Sequence, residues 1–281
     1  MHVVVSGATG LVGHPIAAYL ANAGHKVTTL GRRPSPLGLA HIEWSLGADC
    51  PDLCFADALV HAAFDHVPGR YRGGEGADPD GFIQRNLDGT RDLFDAARDS
   101  KIVFLSSRAV YGRPPPGTRL SEDMTPQPDT LYGILKRDIE VEVTARSGVS
   151  LRTTGVYGPA PPGREHKWST LFSAFRAGRP IVPRVGTEVH ADDVAAAVGI
   201  AILRREADIL NVSDIVIDRR DLLSAYMDVT GHRGDLPPRA EAGEVCEMET
   251  DRLRNLGWAP RGVDGLLCAL RTTMLGALNR A

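Results

Sequence analysis

An excess of charge of one sign is the first thing this chain lacks: 32 lysines and arginines stand against 35 aspartates and glutamates, a net −3 over 281 residues. That balance gives no electrostatic case for nucleic acid or an anionic membrane as the main partner, and it favours a small molecule instead. Long apolar runs are missing too, and none approaches the roughly 20 residues that span a bilayer. The N-terminus enters an apolar strand with no charged leader or cleavage site, so a cytosolic protein is expected. Cysteine is scarce. Cys50, Cys54, Cys246 and Cys268 are not grouped with histidines, which argues against a disulfide framework or a zinc site and for reduced structural thiols. No metal is expected, and there is no internal repeat, coiled coil or low-complexity tract.

Hydrophobic residues make up 43% of the chain, enough for a sizeable core. Short apolar runs at residues 1–6, 27–30, 58–63, 102–106, 149–153 and 209–212 read as strands, and 15–23, 88–98 and 131–146 read as helices. Strands alternating with helices predict an α/β fold with a doubly wound parallel sheet. Pro114, Pro115, Pro116 and Gly117 open a loop that runs to Pro128, and the prolines at 159, 180 and 183 mark a second irregular region. Residues 1–158 therefore read as the main domain, with a returning strand near 209–213. Residues 159–281 read mostly as a smaller interleaved substrate lobe that ends in a helix after Pro260.

The stretch VVVSGATGLVG places Gly7, Gly10 and Gly13 directly after the first strand and at the start of the first helix. The spacing is GxxGxxG. Small residues there let the backbone turn tightly and approach a pyrophosphate, while the exposed N–H groups and dipole of the helix favour the anion. Strand before and helix after make this a dinucleotide loop in a Rossmann-type domain. The second strand ends in TLGRRP, with no acid until Glu43. Arg32 and Arg33 suit a 2′-phosphate, so NADP is favoured over NAD; the plainer reading is two solvated arginines.

Further along come HAA at 61–63, NLDGT at 86–90, SSRAVYG at 106–112, YGILK at 132–136, GVYGP at 155–159 and HADDVA at 190–195, followed by NVSD at 211–214 and LGWAP at 256–260. With the glycine loop, these blocks resemble the extended short-chain dehydrogenase/reductases, the NAD-dependent epimerase/dehydratase family. The resemblance implies a catalytic triad of Ser107, Tyr132 and Lys136. Tyr132 would be the acid/base, Lys136 the cation that makes it useful near neutral pH and holds the nicotinamide ribose, and Ser107 a hydrogen-bond partner of the substrate oxygen. It implies cofactor contacts from Gly7, Thr9, Gly10, Leu11, Val12, Gly13, Arg32, Arg33, Ala62, Ala63 and Lys136. Phe64, Ser107, Arg108, Tyr132 and Arg184 would meet the substrate, and the chain would form a homodimer. His61 is expected beside the cofactor without acting as a base, and His190 is expected to be structural.

Departures from the family pattern narrow the activity. Dehydratases of the family carry an Asp-Glu pair after the triad Ser/Thr; Arg108 and Ala109 stand there, so a dehydratase is disfavoured. Arg108 suits a substrate carboxylate or phosphate, or a surface salt bridge. Sugar-nucleotide epimerases of the family usually have Asn and Arg where this chain has Gly155 and Gly186. Arg184 lies close by as a substitute, but the usual clamp for a nucleotide diphosphate is incomplete, which argues against a UDP-sugar or similar substrate. The expected activity is hydride transfer at a secondary hydroxyl or ketone of a sugar or sugar-nucleotide-like substrate, by an epimerase or a net oxidoreductase. The alternatives are an NADPH-dependent ketone or aldehyde reductase acting on a non-sugar, or a non-catalytic dinucleotide sensor.

Overall fold

The computed structural model describes residues 1–67 and 73–278, with backbone alone for 273–278. Its strands are β1 (His2–Ser6), β2 (Lys26–Gly31), β3 (Ala40–Glu43), β4 (Ala58–His61), β5 (Lys101–Ser107), β6 (Val149–Thr153), β7 (Gly155–Tyr157), β8 (Val185–His190), β9 (Asp208–Val212) and β10 (Ile215–Asp218). Its helices are α1 (Gly13–Asn22), α2 (Pro79–Ile83), α3 (Gly89–Ala96), α4 (Leu131–Ala145), α5 (Ser169–Arg176), α6 (Ala191–Ala201), α7 (Arg219–Thr230), α8 (Asp251–Asn255) and α9 (Gly262–Leu278).

Seven strands pair in parallel in the order β3-β2-β1-β4-β5-β6-β9. Helices cover both faces, which is why the inner strands read as unbroken apolar runs. The two-residue period of a strand divides the core. Val3 and Val5 pack with Ile16 and Leu20 of α1 and Val194 and Val198 of α6. Val4 faces the other way, toward Leu93 and Phe94 of α3 and Ile139 and Val143 of α4. The chain leaves β1 toward β2 and β3, then returns on the far side of β1 as β4. This reversal makes the carboxyl ends of β1 and β4 the switch point of the sheet, the place where ligands bind in such folds.

The strands read from sequence are present with shifts at their ends, and β9 returns to the sheet beside β6. β3, β7, β8 and β10 carry no comparable apolar run. β3 is a four-residue edge strand with no fully buried residue. The other three form a small sheet, β10-β8-β7. Near it a separate apolar cluster gathers Tyr157, Trp168, Phe172, Phe175, Leu223, Tyr226 and Leu270. Among the described residues no helix is long and apolar enough to cross a membrane.

Candidate active site

At the carboxyl end of β1 the chain turns through Gly7 at φ +72°, where a Cβ would lie 2.8 Å from the Ala63 nitrogen. Gly13 is equally constrained, since its Cβ would fall 2.3 Å from the Gly7 carbonyl oxygen. Thr9, Gly10, Leu11 and Val12 complete the turn, and α1 begins with no side-chain cap on its first N–H groups. A backbone held close by glycine at a helix start suits a pyrophosphate, although of the first three helical residues His14 already donates to the Gly10 carbonyl and Pro15 has no N–H.

Behind this loop Ser6 Oγ accepts the N–H groups of Ala62 and Ala63, both at 3.1 Å. Its hydroxyl proton therefore goes to His61 Nδ1 at 2.8 Å. His61 must then donate through Nε2 to Thr90 Oγ1 at 3.0 Å, and Thr90 donates to the Asn86 carbonyl at 2.5 Å. Burial, with the charge of Lys136 second, lowers the imidazole to about 3. His61 stays neutral and works as a spacer between β1 and β4. Asn86 belongs to the NLDGT block. It sits in a π-helical turn, accepts from the Asp65 N–H at 2.7 Å and donates to the Asp65 carbonyl at 2.9 Å. That clamp fixes the loop carrying Phe64.

Tyr132 and Lys136 lie one turn apart on α4. Lys136 is 3% exposed, and its ammonium donates to the Leu105 carbonyl at 2.7 Å. It lies 4.3 Å from the Phe64 ring centre, 4.5 Å from that of Phe104 and 5.6 Å from that of Tyr132. Phe64 meets the Tyr132 ring edge-on at 5.0 Å. Ring faces attract the cation by about 0.5–2 kcal/mol each, yet desolvation wins. Burial lowers Lys136 to about 7, against an opposing pull from Glu140.

A folded value below the unfolded one means the folded chain binds fewer protons between the two, so stability rises with pH across that window. For Lys136 the window opens at about 7 and closes at the unfolded lysine value of about 10.4. We expect the unfolding free energy of the ligand-free chain to gain roughly 2 kcal/mol from this group between about pH 7 and 9. Lys136→Met should flatten that rise in denaturant titrations; equal slopes in the two proteins would refute the assignment.

Ser107 ends β5 and opens a short 3₁₀ turn, Arg108–Tyr111, by accepting the Ala109 N–H at 3.1 Å, which leaves its hydroxyl proton to donate elsewhere. Helix α4 packs against this turn through Gly133, where a Cβ would lie 2.6 Å from the Ala109 carbonyl oxygen. Thr130 caps α4 by accepting the Gly133 N–H at 3.0 Å. The strand end bearing Ser107 and the first turn bearing Tyr132 are thus held side by side. Arg108 is half-buried and donates to the Cys246 carbonyl at 3.4 Å, tying the turn to the C-terminal segment.

Arg32 and Arg33 are exposed after β2. Strand pairing also brings Glu43 level with Gly31, so a carboxylate distant in sequence stands at the same sheet end as the two arginines. Arg184 is exposed, and its charge reaches an ion pair that sequence reading missed, between Lys167 and Glu188. Arg164, also missed, donates to the Thr9 carbonyl at 3.4 Å and links the later chain to the glycine loop. His190 caps α6 by accepting the Asp192 N–H at 3.1 Å, a structural task as expected.

This architecture recurs in known proteins. The chain is 27% identical to the UDP-glucose 4-epimerase of Corynebacterium glutamicum, across 94% of this chain and 92% of that one. It is also 27% identical to a 3-diazoavenalumate denitrifying reductase from Streptomyces, across 76% of each. Among solved structures, MoeE5 in complex with UDP-glucose and NAD superposes with a TM-score of 0.82 at 25% identity, covering 100% of this chain and 99% of that one. Residues 3–213 match the profile of the NAD dependent epimerase/dehydratase family, and the chain belongs to that family.

Proposed function

We propose that this chain is an NAD(P)-dependent oxidoreductase or epimerase that transfers hydride at a secondary hydroxyl or ketone of a sugar-like substrate. The observation that carries the reading is the Lys136 ammonium, buried and anchored on the Leu105 carbonyl two residues before Ser107, 5.6 Å from the Tyr132 ring. The glycine cradle at Gly7 and the start of α1 fit a dinucleotide pyrophosphate. A bound nicotinamide ring would supply or take the hydride at the substrate carbon. Tyr132 gives a proton to the ketone oxygen in reduction and removes one from the alcohol in oxidation. Protonated Lys136 favours the phenolate of Tyr132 by its charge, and Ser107 donates to the same substrate oxygen and holds it in line.

Residues 1–158 with β9 serve the cofactor in this reading, and 159–281 mostly the substrate. Arg108 and Ala109 after Ser107 supply no general acid or base, which keeps a dehydratase disfavoured. A homodimer remains our expectation, which light scattering at micromolar concentration checks. The likeness to a denitrifying reductase motivates one second reading, reduction of a non-sugar substrate.

Incubation with candidate substrates and either cofactor decides between outcomes. Net change at the nicotinamide absorbance band means a dehydrogenase or reductase, an isomeric product without net turnover means an epimerase, and neither in any combination defeats the proposal. For the cofactor, Arg32 and Arg33 suit NADP, as read from the sequence, whereas Glu43 beside Gly31 suits NAD. Replacing both arginines with Ala should weaken NADP by about 10-fold or more and leave NAD nearly unchanged, and Glu43→Ala should do the reverse. Titration of both dinucleotides by calorimetry reads this directly; equal losses for the two would refute it.

A further inference from the structure

The glycine loop has no cation of its own. From Gly7 to the end of α1 there is no lysine or arginine, and burial lowers His14, the one basic side chain there, so that it stays neutral at pH 7. Both phosphates of a dinucleotide are ionised, and backbone N–H groups meet that charge with dipoles alone. Those donors are limited here. The Gly10 N–H goes to the Gly7 carbonyl, the His14 N–H goes to the Gly10 carbonyl, and Pro15 has none. A cation brought in from another part of the chain would complete the site.

Arg164 is placed for this. The segment after β7 makes a turn in which the Arg164 N–H donates to the Pro161 carbonyl at 3.0 Å. Pro161 before it and His166 and Trp168 after it are buried, so the turn is seated at both ends. Between these anchors Arg164 is exposed, and its Nε donates to the Thr9 carbonyl at 3.4 Å across 155 positions of sequence. That bond uses Nε alone and leaves the N–H donors of both Nη groups for a ligand. Among the described residues no carboxylate forms an ion pair with it. Glu165 accepts the Ser169 hydroxyl at 2.9 Å, and Glu188 is held by Lys167, with the charge of Arg184 also acting on that pair. A single long bond to a neutral carbonyl is a weak partner for a guanidinium. A phosphate is a strong one, because charge-assisted bonds to its oxygens are roughly twice as strong as neutral ones.

We propose that Arg164 is a pyrophosphate-binding residue, which reaches from the segment after β7 to the glycine loop and closes the cofactor site over the dinucleotide phosphates. The inference rests on the dinucleotide reading of the glycine loop and adds to it a residue from a distant part of the chain. NAD and NADP carry the same pyrophosphate, so Arg164 does not choose between them; that choice stays with Arg32, Arg33 and Glu43. The bond also seats the cofactor and the segment leading into Lys167 together.

The test titrates the full wild-type chain, Arg164→Gln and Arg164→Lys with NAD and NADP by calorimetry, and follows release of NADH by its fluorescence. Glutamine keeps an N–H for the Thr9 carbonyl and removes the charge, whereas lysine keeps the charge. We expect Arg164→Gln to weaken each dinucleotide that the wild type binds by about 10-fold, with NADH released about 10-fold faster, and Arg164→Lys to recover part of the loss. Added salt should weaken binding to the wild type more than to Arg164→Gln. Unchanged affinity in Arg164→Gln, equal losses with lysine and glutamine, or a loss confined to one dinucleotide when the wild type binds both overturns the proposal. A raised substrate KM with dinucleotide affinity kept overturns it too, since Arg164 is then only a tether of the later chain. A wild type that binds neither dinucleotide defeats the cofactor reading itself, and this inference with it.

Discussion

Tyr132→Phe is expected to lower kcat by about 10²–10⁴-fold while nicotinamide dinucleotide affinity stays within about threefold, as for loss of a single general acid/base. The substitution removes one oxygen and keeps the ring, which still packs edge-on against Phe64. Lys136 keeps its bond to the Leu105 carbonyl and its place over the Phe64 and Phe104 rings, so the cofactor side is undisturbed. Steady-state kinetics on the first active substrate, together with calorimetry of cofactor binding, separates these effects. Full activity in the variant would remove Tyr132 from the chemistry.

Glu140→Gln should destabilise the chain by about 3–5 kcal/mol, the usual loss when one partner of a buried ion pair is neutralised. Glu140 lies one turn beyond Lys136 on α4. Its carboxylate accepts from Arg152 Nη2 at 2.7 Å and Nε at 3.0 Å, and from the Ser106 hydroxyl at 2.5 Å. Arg152 also donates to the Tyr111 hydroxyl at 3.0 Å, and Tyr111 donates to Asn211 Oδ1 at 2.8 Å. One network therefore binds α4, β5, β6 and β9 beneath the strand end that bears Ser107. The amide keeps the shape but leaves the Arg152 cation without a countercharge. Combining Glu140→Gln with Arg152→Met should recover part of the loss, because the stranded cation is then gone. Denaturant titration of the two single variants and the double variant checks this. If the double variant loses the sum of the two single losses, the pair is not coupled.

The same substitution reaches the site electrically. The Glu140 charge is what resists the fall of Lys136 toward neutrality, so its removal should push the ammonium further below about 7. Any pH limb of activity that reports Lys136 should then move to lower pH in Glu140→Gln.

Features legible in the sequence were those whose physics is local. A six-residue apolar run, a glycine turn between strand and helix, and a Tyr and Lys four apart each depend on neighbours within one or two turns. β3 and β7 escaped notice because each is short and gains its partner only through register with a strand far along the chain. Arg108 shows the limit at a single residue. Its place after Ser107 was plain, but its bond to Cys246 spans 138 positions and depends on how the C-terminal segment returns.

By itself the sequence determined the alternating α/β order, the glycine cradle and the presence of Ser107, Tyr132 and Lys136, because helix and strand periods and turn chemistry are written in adjacent residues. Only the tertiary structure decided which distant groups modify that set: Phe64 over Lys136, Glu43 beside Gly31, Glu140 on Arg152, and Lys167 with Glu188 in the space beside Gly155. Those contacts follow from strand order, register and the close approach of packed elements. Charge and burial at the site, which depend on all of them, become defined when the sheet has closed.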